Sequence, residues 1–509
     1  MLLEDYRNER LRKLNTIKEQ GIDPYPSVSH RDTKIGDILA NFDNFQGKTV
    51  TIVGRITAIR SFGKLAFVKI HDYFGEIQLF MKQESVANTT SGDTHSHDEN
   101  TATSPMATDA KNNFATFSVK KLKLLDTGDF IEATGTVDKS QTGEISVFTN
   151  EVRLLTKTLR PLPGRDGFTN KEERYRRRYV DMNVNPEVRE RFVRRSKFWQ
   201  ATRDFMNKHG FVEINTPVLE HTTGGADAKP FTTHMDAHDD DYYLRISQEL
   251  PLKRLLGGGL ERVYDIGPRF RNEGVDDEHL PEHIAFEAYA AYQNYEDGMA
   301  FYEEMIKYVA KETWGTLQFK IDDFEIDLSQ SWPRRKYADL IKEHFDIDVF
   351  NPDHTKILQI LKENHVDVQP DVSNARLLDN LWKIIRKKSG GPFWLVEEPL
   401  SFSPLAKVLP DDPRVVQRFH PIIAGTELGN GYSELNDPLD QLKRFEEQQA
   451  ARDAGDEEAQ MLDQDFVEML EYGMPPACGW GNSERNFWIL EGVSGREAVP
   501  FPIIKAKKN

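Results

Sequence analysis

Residues 269–289 read RFRNEGVDDEHLPEHIAFEAY, with four Glu, two Asp, two His and two Arg set between apolar segments. Taken alone, such a run reads as a solvated charged loop. Its flanks change that reading. VYDIGPRF (263–270) on one side and IAFEAYAAY (284–292) on the other both alternate, the period-two signature of strands. Two antiparallel strands joined by the charged loop would gather Arg271, Glu273, His279 and Glu287 at one end of a sheet. That group suits a phosphorylated ligand, because a guanidinium is a planar fork for phosphate oxygens while carboxylates hold a divalent cation or a cationic substrate.

Upstream of this hairpin, Leu2, Leu3, Tyr6, Leu11, Leu14 and Ile17 recur at near-helical spacing and stop at Gly21 and Pro24-Tyr25-Pro26. One amphipathic helix within a helical extension over 1–40 is expected. From Thr49 to Leu155 the pattern changes to short β-branched runs separated at Gly63, Gly75, Gly128, Gly135 and Gly143, which fits the strands of a small barrel over 48–158. SVANTTSGDTHSHDENTATSPMATDAKNN (85–113) interrupts the barrel. It has too little apolar surface to offset the entropy of ordering and is expected to be a disordered insertion, with His95 and His97 as solvated loop residues rather than metal ligands. A Pro/Gly linker over 159–184 carries a basic run at Arg174, Arg176, Arg177 and Arg178. Beyond it, 185–509 reads as one α+β region, with helices at 186–209, 249–257 and 296–313 and a helical insertion over about 317–395.

At 509 residues, with 38% apolar and 29% charged residues, the chain has the composition of an ordinary globular protein with more than one domain. A single cysteine, Cys478, excludes an intrachain disulfide framework and an all-Cys zinc site and suits a reducing compartment. No signal-peptide core or membrane-length apolar run is present, so a cytosolic protein is the expectation. The net charge of −17 argues against indiscriminate coating of nucleic acid, yet leaves room for local docking because screening acts over about 8–10 Å.

FRNEG, together with FVEINTP ending at Pro217 and GWGNSER carrying Gly479, Gly481 and Arg485, resembles the three signature motifs of class II aminoacyl-tRNA synthetases. The longer stretches TPVLEHTTGGADAKPFTTHMDAHDDDYYLRISQELPLKRLLGGGLERVYDIGPRFRNEG and ELGNGYSELNDPLDQ are similar to the class II lysyl-tRNA synthetase family. The likeness runs from VGRITAIRSFGKLAFVKIHD through LLTKTLRPLP to the final FPIIK. No single motif is specific, but many ordered matches over several hundred residues are.

The resemblance implies an α+β fold: a class II antiparallel-sheet catalytic domain preceded by an OB-fold β-barrel. It implies ATP-dependent activation of L-lysine and transfer to tRNA(Lys), with Mg²⁺ accompanying the nucleotide and a homodimer whose interface includes the Pro217 region. It assigns Arg271 to the α-phosphate, Glu273 to the adenine amino group, His283 to the adenine face, and His279 and Arg485 to the outer phosphates. Glu427 falls to the metal, with His420 where a second acidic ligand is usual. For lysine it assigns Gly225 and Glu249 to the α-amino side and Glu287, Tyr289 and Glu434 to the ε-amino end, with Asn430 and Tyr432 completing the pocket. In the barrel it makes Phe67 the base-stacking ring and Arg55, Gln78 and Glu144 the polar readers of the anticodon. Each has a plainer alternative: Glu249 as a helix-start carboxylate, Tyr289 and Tyr432 as core, Arg485 as a surface ion pair, Phe67 as barrel filling.

Three positions depart from the family pattern. His283 replaces an aromatic hydrocarbon ring, His420 replaces an acid, and the third motif lacks one glycine before Arg485, which bears on that side chain's reach. An aspartate- or asparagine-charging synthetase is a rival reading, but Glu287 and Glu434 predict an anionic pocket and not a cationic one. Relatives that lysylate proteins lack the anticodon barrel. A silent tRNA-binding protein that kept the fold is the rival of another class.

Overall fold

Alternation builds the N-terminal barrel. In β2 (Leu65–His71), Ala66, Val68 and Ile70 point inward and are buried, while Leu65, Phe67 and Lys69 point outward. β1 (Thr49–Phe62), β3 (Glu76–Lys82), β4 (Phe130–Lys139) and β5 (Ile145–Thr156) follow the same rule and close a barrel in the order β1-β2-β3-β5-β4. Ile52, Ile56, Leu79, Val137 and Val147 fill it. The helix Leu3–Glu19 turns Leu14 and Ile17 inward, and its Arg10 donates to Thr158 Oγ1 at 2.6 Å and to the Thr127 carbonyl at 2.9 Å.

This computed structural model describes residues 3–83, 117–274, 276–277, 279–368, 372–455 and 459–507. The insertion expected over 85–113 lies outside them. The chain divides into two units, Met1–Phe168 and Thr169–Asn509.

In the second unit the strands are β6 (Val212–Glu213), β7 (Leu219–Glu220), β8 (Phe231–Met235), β9 (Asp240–Leu244), β10 (Arg262–Phe270), β11 (Glu282–Ala291), β12 (Gln318–Ile321), β13 (Phe324–Asp327), β14 (Arg334–Lys336), β15 (Phe393–Val396), β16 (Arg418–Ile423), β17 (Thr426–Glu427), β18 (Asn430–Ser433) and β19 (Ala477–Ser483). The main sheet runs β14-β15-β16-β18-β19-β11-β10-β6, antiparallel except at its two edges, where β14 lies parallel to β15 and β6 to β10. Two long helices cover one face. Pro186–Lys208 starts with proline at its first turn, and Tyr295–Trp314 starts at an Asn294/Asp297 capping box and ends at Gly315 in the left-handed conformation. They bury Phe198, Phe205, Tyr302 and Met305 against Trp480 and Phe487.

Two expectations need correction. The segment 317–395 is not helical throughout. It opens with the β12–β13 hairpin, because Phe319, Ile321, Phe324 and Ile326 alternate, and it contributes β14 and β15 to the main sheet. Only Tyr337–Phe345, His354–Glu363 and Asn374–Arg386 are helices there, packed around Leu340, Leu361, Leu381 and Trp382. The stretch 159–184 is not a plain linker either. It forms helices Lys171–Arg176 and Arg178–Val184. Arg178 is fully buried, donating to Asp181 at 2.9 Å and to the carbonyls of Arg496 and Pro500 at 3.0 and 3.1 Å, so this part of the basic run anchors the C-terminal segment instead of offering charge to a partner. Among the described residues no helix is long and apolar enough to cross a membrane.

Candidate active site

β10 and β11 pair from Arg262↔Ala290 to Phe270↔Glu282, and the Arg271 amide continues the ladder to the Pro281 carbonyl at 2.9 Å. A cavity of about 350 Å³ opens over this end of the sheet, lined by Arg271, Glu273, His279 and His283 from the hairpin and by Arg485 from beyond β19. Arg271 Nε is buried with no hydrogen-bond partner among the described residues. Burial lowers its guanidinium pKa, and the fields of Glu273, Glu287 and Asp227 oppose that. A buried, underused guanidinium beside a cavity is poised for an anion. Glu273 and His279 stand exposed at the rim, His279 Nδ1 2.9 Å from Asp276.

The shortened third motif still delivers Arg485 to this cavity, and the cause is a residue that sequence reasoning missed. Glu484, buried, exchanges backbone and side-chain bonds of 3.0 Å with Ile284 of β11 and accepts from Arg195 Nε at 2.8 Å. That clamp fixes the chain immediately before Arg485, which opens the helix Arg485–Glu491. Its signal in the sequence was only an acid next to the expected arginine.

At the closed end the structure adds Lys253 to the expected residues. Glu249 begins the helix Glu249–Gly257, where the macrodipole favours an acid, and it also lines the cavity. The Glu249 and Glu434 carboxylates converge on Lys253 Nζ, at 2.5 Å from Glu249 and in direct contact with Glu434, and Tyr432 donates its hydroxyl to Glu249. Lys253 is wholly buried, with its ammonium 5.3 and 6.0 Å from the ring centres of Tyr432 and Tyr289. Burial alone would lower its pKa, but the two carboxylates outweigh burial and raise it, so it is a cation. Glu434 itself lies behind the wall formed by Gly479 and Tyr289. A Cβ on Gly479 would stand 2.2 Å from Tyr289 Cε1 and 2.3 Å from Glu434 Oε1, which is why that position must be glycine.

Glu287 adjoins this cluster through Tyr289 and reaches Arg269 on its other side. Its Oε1 accepts from Ser247 at 2.8 Å and lies 3.6 Å from Arg269 NH1, and its Oε2 accepts from Tyr289 at 3.2 Å. Burial raises its pKa, with Arg269 opposing and Glu249 adding. Gly225, with φ +82°, would place a Cβ 2.7 Å from Glu249 Cβ, and its amide donates to Gln460 at 3.1 Å. Gln460 lines the cavity and was not expected from sequence. Asn430, paired with Gly481 across β18 and β19, completes this wall with Tyr432.

Glu427 lines the cavity with Oε1 accepting from Trp382 Nε1 at 2.6 Å and lying 3.5 Å from Arg386 NH1 in an ion pair, so the helical insertion holds it. Its Oε2 is the oxygen left for a metal. A cation held by one carboxylate and substrate phosphates is the usual Mg²⁺ arrangement, and this donor fits it. His420 stands on the same side, its Nδ1 3.8 Å from Glu427 Oε2. Its Nε2 is 3.1 Å from Glu398 Oε2, which Arg418 NH1 also approaches at 3.1 Å. Burial would raise Glu398, but His420 and Arg418 outweigh it and hold that carboxyl at about 2. His420 Nε2 is therefore committed to an acid. Among the described residues no cluster of three ligating side chains could hold a metal alone.

On the barrel, Phe67 is outward, not core. It pairs with Phe80 and Phe80 with Phe148, ring centres 5.3 and 5.0 Å apart, and Phe62 at the β1–β2 tip lies 6.2 Å from Phe67. Gln78 donates to Ser146 at 3.0 Å in the next rung. Glu144, exposed, meets Lys69 at 3.3 Å, and Arg55 lies 4.3 Å over the Phe130 ring. All share the outer surface, an aromatic row edged by polar groups of the kind that stacks single-stranded bases.

An antiparallel sheet with guanidinium groups at one end of a cavity and carboxylates at the other, together with a separate base-stacking barrel, defines a class II aminoacyl-tRNA synthetase. Residues 170–505 match the family described as tRNA synthetases class II (D, K and N), and residues 50–94 match the OB-fold nucleic acid binding domain. The chain is 39% identical to a lysine–tRNA ligase of Thermosipho africanus over 99% of its own length and 97% of the relative's, and 39% identical to that of Thermotoga maritima over 100% and 97%. It is 38% identical to the lysine–tRNA ligase of Moorella thermoacetica over 98% and 97%. The chain belongs to the lysine–tRNA ligase family of class II synthetases.

Proposed function

We propose that L-lysine and ATP condense in this cavity to lysyl-adenylate and pyrophosphate, and that the terminal adenosine of a tRNA read by the barrel then attacks the activated carbonyl, releasing AMP. The lysine carboxylate attacks the α-phosphorus while Arg271 offsets charge on the phosphoryl oxygens, and Arg485 holds the outer phosphates. His283 takes the adenine face, and Glu273 and His279 close the rim. Mg²⁺, held by the phosphates and Glu427, supplies a Lewis acid for the leaving pyrophosphate. Glu249, which packs against Gly225, receives the α-ammonium, while Glu287 with its partner Tyr289 takes the ε-ammonium, with Asn430 and Tyr432 completing the pocket and Glu434 behind it.

Charge complementarity carries this reading. Glu249, Glu287 and Glu434 gather at this end with Lys253 and Arg269 as counter-ions, an acid-rich wall for a substrate that carries two ammonium groups. An aspartate side chain would meet that wall unfavourably. Pyrophosphate exchange driven by lysine and silent with aspartate or asparagine is the expected result, and exchange driven by aspartate alone would overturn it.

Glu287 makes lysine binding pH-dependent. Its carboxylate must be ionised to hold an ammonium, and its pKa is raised, so binding is present above that value and lost as the pH falls through it. Once below it, KM for lysine rises about tenfold per pH unit. The KM of exchange measured from pH 8 to 5.5 tests this, with Glu287→Gln as the control that is weak and flat. A Glu287→Gln variant with the lysine KM of the unmodified protein would reject the role.

The barrel's row makes Phe67 the stacking ring, with Arg55, Gln78 and Glu144 reading base edges. Phe67→Ala is expected to weaken a uridine-rich anticodon stem-loop by about 1–3 kcal/mol, roughly 5- to 150-fold in Kd by fluorescence anisotropy. An unchanged Kd would remove Phe67 from the interface. The reading includes a cytosolic homodimer, supported by Val212 and Leu219, exposed apolar side chains flanking Pro217.

A further inference from the structure

Arg269 has no part in the reaction as described, yet it lines the cavity between its two halves. Its Nε donates to His283 Nε2 at 2.8 Å, and its NH1 lies 3.6 Å from Glu287 Oε1. The other ring nitrogen of His283, Nδ1, donates to the Leu280 carbonyl at 3.2 Å. An imidazole that accepts at Nε2 and donates at Nδ1 is neutral and locked in one tautomer.

We propose that Arg269 is a positioning residue for the nucleotide: it holds His283 as a neutral imidazole in one fixed ring plane, so that adenine stacks on the same uncharged surface at every working pH. The proposal rests on the reading that ATP binds here. The groups facing His283 are Arg269 from β10, Arg271 just after it and Arg485 from the helix after β19, with Glu287 and Glu273 acting in turn on Arg269. Burial first, then Arg269 and Arg271, pull the His283 pKa down to about 2. Burial and Arg271 lower Arg269 to about 9, which leaves it charged at neutrality. A bare histidine would titrate near 6.5, inside the working range.

The test is the KM for ATP in lysine-dependent pyrophosphate exchange between pH 6 and 8, each variant expressed as a ratio to the unmodified protein so that ionisation of ATP cancels. Arg269→Met is expected to make that ratio change by at least threefold across the range. Arg269→Lys, which keeps a cation beside the ring, and the double variant Arg269→Met/His283→Phe, which has no imidazole to titrate, are expected to give a constant ratio. Loss of packing alone would raise the KM of Arg269→Met equally at each pH, and that result would overturn the proposal. So would a pH dependence that persists in the double variant. His283→Ala separates the two levels: if it leaves the ATP KM at the unmodified value, the adenine site itself is misassigned.

Discussion

Arg271→Ala is expected to lower lysine-dependent pyrophosphate exchange at least about 100-fold, as removal of one strong transition-state contact does, with tRNA binding retained. The size follows from how the side chain is held. Its backbone is fixed by the last bond of the β10–β11 ladder, and its buried Nε has no protein partner among the described residues, so the guanidinium has kept donor capacity for the ligand. Lysine would not replace it, because an ammonium is a point charge without the fork that spans two phosphoryl oxygens. Arg271→Lys should therefore recover only a small part of the loss. Exchange kinetics beside filter binding of tRNA separates the two activities, since the OB-fold barrel belongs to the other unit. Turnover at the unmodified rate would reject the assignment, and loss of tRNA binding in step with exchange would point to misfolding.

What the sequence disclosed was whatever local pattern controls. The barrel strands, the hairpin around FRNEG and the long helices all follow from periodicity, and Phe67 could be placed outward once Ala66, Val68 and Ile70 were seen to alternate inward. The site's membership was also legible, because motif residues from distant segments line one cavity. The charge bookkeeping was not. Glu249 and Lys253 four residues apart look like an ordinary exposed helix pair worth a few tenths of a kcal/mol. Only the fold brings Glu434 to the same ammonium and buries all three. The acid that holds His420 Nε2, Glu398, was equally out of sight, because it lies on a neighbouring segment that local pattern cannot pair with it. The hairpin over 318–327 was hidden by the amphipathic helices that follow it.

Lys253→Met is the substitution with the largest expected effect on stability. The ammonium is fully buried and bridges two carboxylates, and removing one partner from a buried ionic cluster costs about 3–5 kcal/mol because the remaining charges stay desolvated. Methionine fills much the same volume, so the loss is electrostatic and not a cavity. Its pH dependence distinguishes the two. In the unmodified protein the raised Lys253 pKa keeps its contribution constant below the ordinary lysine range, and it is lost only as the pH rises through the folded value. In the variant, Glu249 and Glu434 face each other without a cation, so their folded pKa values rise and the native state binds protons the unfolded chain does not. Stability then falls as pH rises above the unfolded carboxylate value. Urea unfolding at pH 5.5 and 8 should show the deficit larger at pH 8. Adding Glu434→Gln, which removes one negative charge, should recover at least half of it at pH 8 and little at pH 5.5. An equal deficit at both pH values would mean that Lys253 acts by packing and not as the counter-ion of Glu249 and Glu434.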